Sequence, residues 1–472
     1  MPAKHSSAGQ MLAERIAASR FEDIDPKARD YARVLILDLL GNGLAGSALD
    51  LSVDLLETAR GWGGGDIPVW GEGALLSAPD AVLVNAHRAH CLEFDAFNEA
   101  AVVHPVTVVL PCALAMVTRL RAQGREVSGR DLVHAVVVGV DTASAVGIAA
   151  TETLRFFRPA TAGAFGGVAA IAALAGWPAE RTLNAMGLAL GFASGTMQAH
   201  EEGSSAMALI VGMNGRAAMT AADLSLVDFH PPRAVFEGRF GFYNVIEAGG
   251  DIDAFRGAIP DIGTGRNVLG TAIKPYPSGR ATHGATYALE QLARRRPLTA
   301  ETVEHLLVEV PPLIASLVGR PVVADMAVNY ARLSLPYLAA RFLLDGGIDT
   351  DSFAPERMRD PRTLEQSRKV EIRVKDTGDP NAFNPHEVTV RYRDGASDSL
   401  RVDHVLGAPD CPLPPERVRE KFRRNAAEAR HPLAPAQIAA LEAMVDGLET
   451  LGSAEALVGA MVGDISGPKG HG

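Results

Sequence analysis

The chain has 472 residues, with 45 Lys and Arg against 56 Asp and Glu and a formal charge of −11. At about 150 residues per domain this length predicts two or three domains. The acidic balance lacks the concentrated basic surface that phosphate backbones require, so no nucleic-acid partner is expected. A small anionic substrate stays open, because a few cations in a pocket outweigh distant charge. Aromatic residues make up 6% of the chain, so the core is expected to be Ala, Leu, Val and Ile on closely packed helices. Cys91, Cys112 and Cys411 form no CxxC and read as reduced thiols. The first twenty residues carry no continuous apolar stretch of the signal-peptide kind. Apolar runs fall short of the roughly 18 residues a membrane span needs, and the best, Val133 to Ala150, is broken by Asp141. A soluble cytoplasmic enzyme without a membrane partner is the expectation.

In chain order, Asp25 and Pro26 supply an N-cap and a first-turn proline for a helix through Leu40. Ala78-Pro79-Asp80 opens another that runs towards Glu93. Ser128 to Asp131 resembles a capping box ahead of a long apolar helix. Residues 160–176, 180–196 and 204–225 are dense in Ala, Gly and Met, which suits a buried bundle. Gly and Pro cluster over 249–279, and a helix follows from Thr282 to Arg296. Strand character appears in His305 to Val310, Val370 to Val374 and Glu387 to Arg393, with a helix over Tyr330 to Leu344. Helical patterns return from Pro414 and end in a Gly-rich polar tail. The fold class expected is mainly α. Residues 1–265 and 406–472 form a discontinuous helical-bundle domain, and 266–405 form a smaller, lid-like α+β domain.

Several nucleotide and hydrolase motifs fail. The chain has no GxxxxGK[ST] and no GxSxG, and Gly163 to Gly167 lacks a preceding strand. His87, His90 and Glu93, spaced i, i+3, i+6, could share one helix face and bind a transition metal. A polar helix end facing a pocket or a subunit contact fits the same spacing, and no metal is expected.

Two stretches concentrate chemistry. Glu93-Phe-Asp95-Ala-Phe-Asn98 through His104-Pro105 gathers acids, an amide and an imidazole before a helix N-terminus, where free N–H groups attract anions. A His beside a carboxylate can be tuned for acid–base work. Ordinary helix capping by Asp95 and Asn98 explains the segment equally well. In Lys274-Pro-Tyr-Pro-Ser278-Gly-Arg280-Ala-Thr282-His283, two prolines stiffen a loop that carries cations to a helix start, with Thr282 as a candidate N-cap. Such cations suit carboxylates, Arg by bidentate contact. An inter-domain hinge is the bland alternative.

Together these stretches resemble the MmgE/PrpD family, which includes 2-methylcitrate dehydratases, cis-aconitate decarboxylases and iminodisuccinate epimerases. Phe157-Arg-Pro-Ala-Thr161-Ala-Gly, Glu237-Gly-Arg-Phe-Gly-Phe242 and Ala331-Arg-Leu-Ser-Leu-Pro-Tyr337 agree in family order. The resemblance implies a helical domain built from both termini, a smaller α+β domain, a homodimer and no required cofactor. It also implies a lyase of hydro-lyase type acting on a small di- or tricarboxylate. His104, Asp95, Lys274 and Glu93 would be catalytic, and Arg280, His283, Arg158, Asn98 and Ser278 would bind substrate. An epimerase, a decarboxylase or a non-catalytic carboxylate binder are the alternatives. The chain departs from the family pattern at Ala96, at Arg158 (often His), at Met207 (often Lys) and at Ser278-Gly279 (often His).

Overall fold

Residues 6–378 and 382–462 are described in a computed structural model of the chain; the expected Gly-rich tail lies outside them. Helix starts follow local chemistry. Asp25 accepts from the Lys27 N–H at 2.8 Å ahead of the Pro26–Gly46 helix, and the Ser128 capping box opens Gly129–Ile148. The Ala78–His90 helix stops short of Glu93, whose backbone takes φ +52°.

The bundle centre comprises Pro105–Ala122, Gly129–Ile148, Arg158–Ala175 and Ala206–Leu224. Gly139 and Gly166 allow two of these to touch. A Cβ on Gly139 would lie 2.8 Å from the Gly166 carbonyl oxygen, and one on Gly166 would lie 2.7 Å from that of Gly139. The first three helices are each long and apolar enough to cross a membrane, which the run-length reading missed by counting only unbroken stretches. Here 78%, 83% and 89% of these helices are covered by the rest of the chain. The charge inside the second is structural: the Asp141 carboxylate accepts N–H groups of Gly263, Gly265 and Asn267 at 2.8–3.0 Å, fixing a Gly-rich turn against the bundle.

The main core runs from Ala8 to Ile273 and resumes from Leu406 to Met461, with Leu333 joining it. A second core lies between Tyr276 and Val405. It packs a four-stranded sheet in the order Val370–Val374, Val303–Val310, His386–Tyr392, Ser397–Val402. The first pair is parallel, with Leu306 opposite Val370. The others are antiparallel, with Val308 opposite Val388 and Val388 opposite Leu400. The fold is thus mainly α with a smaller α+β part. Two local expectations change. Ser397–Val402 is a strand the sequence reading passed over, because its alternation is mostly Ser and Asp. The helix read over Tyr330 to Leu344 is two, Val328–Arg332 and Leu335–Asp345, broken where Pro336 forces a new start capped by Ser334.

Candidate active site

The two chemistry-bearing stretches meet through their backbones. Phe97 N–H donates to the Ala272 carbonyl at 2.9 Å, and Ala272 N–H returns the bond at 2.7 Å. Asn98 and Val103 pair across the same loop. Ile273 N–H donates to the Gly407 carbonyl at 3.0 Å, so this edge also grips the segment after the sheet. Gly407 has φ +91°, and a Cβ there would sit 2.0 Å from the Ile273 carbonyl oxygen, so the approach requires glycine. This pairing delivers Lys274 to Glu93.

Lys274 Nζ lies 2.9 Å from Glu93 Oε2, 3.0 Å from the Glu93 carbonyl and 4.0 Å from Asp95 Oδ1, completely buried. Asp95 Oδ2 is approached by His90 Nδ1 at 3.0 Å and His104 Nδ1 at 2.9 Å, and it accepts the Thr107 hydroxyl. His90 Nε2 faces Glu93 Oε1 at 3.3 Å. Burial opposes ionisation of both carboxylates, yet the ammonium and the imidazoles around them outweigh it. Lys274 and His90 hold Glu93 well below the usual range, and His104 and His90 do the same for Asp95. Burial alone would depress His90; Asp95 and Glu93 on either side raise it instead to about 9. His104 goes the other way, lowered by burial and by Lys274 and His90 despite Asp95. One imidazole is therefore a cation and its neighbour a neutral base.

His104 is the N-cap residue of the Pro105 helix, and Thr107 sits in its first turn. Glu93 and Val102 both have φ +52°. A β-branched residue in that region is strained, and both outliers face the same cavity as His104. That cavity, of about 70 Å³, lies between the two cores. Its polar wall is Glu93, His104, His200 and Arg280, and the rest is mainly apolar, including Phe97, Phe157, Met207, Leu333 and Phe383. His200, held neutral near 4 by burial and Arg320, has no motif around it and was missed.

The sequence-predicted residues divide here. His104, Glu93 and Arg280 line the cavity; Asp95 and Lys274 stand behind them. Arg280 is already bound to Glu99 at 2.6 Å and to the carbonyls of Leu406 and Val405. His283 Nε2 bonds the Ser278 carbonyl at 3.1 Å, and its Nδ1 faces Arg280. The remaining three are each engaged by other parts of the chain. Arg158 is buried in an ion pair with Glu247 at 2.8 Å. Asn98 holds its own turn, accepting from the Ala101 N–H and donating to the Asn267 carbonyl. The Ser278 hydroxyl pairs with that of Thr282, which itself donates to the Gly279 carbonyl instead of capping a helix.

Beneath the site lies a layer that no motif announced. Lys421, from the Pro415–Ala427 helix, reaches Asp38 at 2.7 Å, the Phe94 carbonyl at 2.6 Å and the Lys274 carbonyl at 3.2 Å. Asn42 donates to Asp38 and to the Phe94 carbonyl, and Asn425 donates to Asn42.

The metal reading on His87, His90 and Glu93 does not assemble: His87 turns to Ser52. Donor atoms of His90, Asp95 and His104 lie within 4.8 Å of one another. The fit to a divalent ion is poor, because the Lys274 ammonium already stands 2.9 Å from Glu93 and 4.0 Å from Asp95.

The MmgE/PrpD N-terminal domain model matches residues 10–254, and the C-terminal domain model matches residues 276–446. The chain belongs to the MmgE/PrpD family. Among its MmgE/PrpD relatives, the cis-aconitate decarboxylase of Homo sapiens is 26% identical over 415 residues, covering 84% of this chain and 82% of that protein. That of Aspergillus terreus is 24% identical over 449 residues, 91% of each. Two of the positions that depart from the MmgE/PrpD pattern, Met207 and Gly279, form cavity wall.

Proposed function

We propose that the chain is a lyase of hydro-lyase type acting on a small di- or tricarboxylate, working in the cytoplasm as a homodimer and without a cofactor. The observation that carries this reading is His104, a neutral imidazole on the cavity wall with Nδ1 2.9 Å from ionised Asp95. That pairing directs the proton to Nδ1 and leaves Nε2 as the base, while Asp95 stabilises the imidazolium that forms. The approach is close but off the hydrogen-bond axis, a geometry that tightens in a substrate complex. His104 takes the proton from the carbon α to a carboxylate, and the C–H electrons form the new double bond. The C–O bond breaks, and the imidazolium returns its proton to the departing hydroxide, so water leaves. Cationic His90 and Lys274 behind the acidic pair supply positive potential as enolate-like charge develops. Ionised Glu93 repels substrate carboxylates and turns them towards Arg280. The polycarboxylate assignment is supported by the relatives, whose names are cis-aconitate decarboxylases.

A second reading is decarboxylation. Phe97, Phe157, Met207 and Leu333 make much of the wall apolar, and loss of a charged carboxylate as neutral CO2 is favoured in such surroundings. Proton NMR of the purified protein in deuterated water, with a panel of hydroxy and unsaturated polycarboxylates, tests both. A vinylic product with intact carboxylates supports dehydration, and CO2 release supports decarboxylation. Solvent deuterium without net change marks an epimerase. Folded protein that changes no acid in the panel overturns the lyase reading.

A further inference from the structure

Arg88, Arg158, Arg280, Arg332 and Arg341 are the buried arginines among the described residues. Four have a carboxylate in contact: Arg88 with Glu72 at 3.2 Å, Arg158 with Glu247 at 2.8 Å, Arg280 with Glu99 at 2.6 Å, and Arg341 with Asp345 and Asp360. Arg332 has none within 4.0 Å among the described residues. One Nη donates to the Cys91 carbonyl, the guanidinium lies 5.1 Å from the centre of the Phe353 ring, and the buried Nε has no partner. A buried charge without an opposite charge beside it is unfavourable. Arg332 lines a second cavity of about 420 Å³, six times the volume of the first.

This second cavity is walled by Leu49, Leu92, Ala208, Val328, Phe353 and Pro355. His87 also lines it and is kept neutral near 4 by burial, so it adds a polar ring but no charge. Asp50 and Glu428 stand on its exposed rim. One interior cation, apolar walls and an acidic mouth select a ligand with a single negative charge and a compact apolar body. A polycarboxylate would meet repulsion at the rim and find one partner inside.

We propose that this cavity is a binding site for a small monocarboxylic acid bearing an aryl or branched alkyl group, with its carboxylate on Arg332. The site is separate from the candidate active site but mechanically joined to it. The Arg332 guanidinium holds the Cys91 carbonyl, two residues before Glu93, and the Arg332 carbonyl accepts the N–H of Gly279, next to Arg280. Occupancy therefore bears on both edges of the first cavity.

Benzoate tests the site, with benzamide as the uncharged control, by calorimetry and thermal shift on the intact chain. Saturable benzoate binding that raises Tm is expected, with benzamide at least tenfold weaker. Arg332→Gln removes the charge partner. Val328→Trp, at a half-exposed position on the mouth, narrows the entrance without disturbing the core and keeps the test sound should R332Q fail to fold. Both should weaken benzoate at least tenfold, whereas Leu317→Trp, which narrows the first cavity, should leave it within twofold. The proposal is overturned if benzoate does not bind, if benzamide binds equally well, or if L317W abolishes binding while V328W does not. The first outcome includes the case in which a partner subunit's carboxylate already occupies Arg332.

Discussion

His90 and His104 share one oxygen: each ring places Nδ1 within 3.0 Å of Asp95 Oδ2, and the two rings meet edge to face with centroids 4.7 Å apart. A single carboxylate oxygen cannot neutralise two imidazolium ions side by side. The protons therefore divide unequally. His90, with Glu93 on its other nitrogen, keeps its charge, and His104, buried and opposed by Lys274 and His90, stays neutral and faces the cavity. His90, in the last turn of the Ala78–His90 helix, thus tunes the base that stands at the start of the next.

Removing the base should act on turnover. His104→Ala is expected to lower kcat by about 10²–10⁴-fold with a smaller change in KM. Steady-state kinetics on the substrate found by the NMR panel checks this, and near-normal turnover in folded H104A protein would refute the assignment.

Lys274→Ala should damage the fold as well as the site. It leaves Glu93 and Asp95 with one compensating cation fewer in a fully buried setting, a loss of order 3–5 kcal/mol. Urea unfolding should show that loss, and residual activity should carry a raised KM. Unchanged unfolding would mean the pair is solvated in solution.

Arg158 should prove structural. Arg158→Ala strands the Glu247 carboxylate and should destabilise by about 3–5 kcal/mol. The double replacement R158M/E247M should recover most of that, because two apolar side chains leave no buried charge. KM in the double variant should stay within about threefold of the parent; a large rise would restore Arg158 to the list of substrate ligands.

Stability should fall on the alkaline side through His90. Its pKa is raised from 6.5 to about 9 in the folded chain, so the native state binds its proton more tightly than the unfolded state. The contribution is fully present below pH 6.5 and is lost as pH rises through about 9. At about 1.4 kcal/mol per pKa unit, some 3 kcal/mol is at stake. Urea midpoints at pH 6 and pH 9.5 should differ accordingly in the parent, and His90→Gln should flatten most of that slope.

Thr107 should behave as a positioning residue. Its hydroxyl donates to the same Asp95 oxygen, so Thr107→Val concentrates that oxygen's negative charge on the two imidazoles. The limb of the kcat–pH profile governed by His104 should move to higher pH by up to about one unit. A fall in kcat with an unmoved limb would assign Thr107 to packing alone.

What was legible in the sequence was local. Prolines, caps and alternation located the helices beginning at Pro26, Ala78 and Gly129 and three of the four strands of the main sheet, since each signal lies within a few residues of its effect. The juxtaposition of Glu93 to His104 with Lys274 to His283 came from their resemblance to a family, not from periodicity. The contacts of Arg158, Asn98 and Ser278 with Glu247, Asn267 and Thr282 were not legible, because those partners carry no motif. His200 and the Asp38–Lys421 pair were invisible for the same reason: burial among distant elements creates their roles.

The Asp38–Lys421 pair sets an order of events during synthesis. Asp38 leaves the ribosome hundreds of residues before Lys421, and the groups Lys421 joins, the carbonyls of Phe94 and Lys274, come from points between. Domains fold broadly as they emerge, yet this carboxylate has to wait, hydrated or protonated, until the Pro415 helix docks. Catalytic geometry should therefore arrive late and all at once, so a ribosome-stalled chain ending before residue 415 should have a largely formed helical bundle and no turnover.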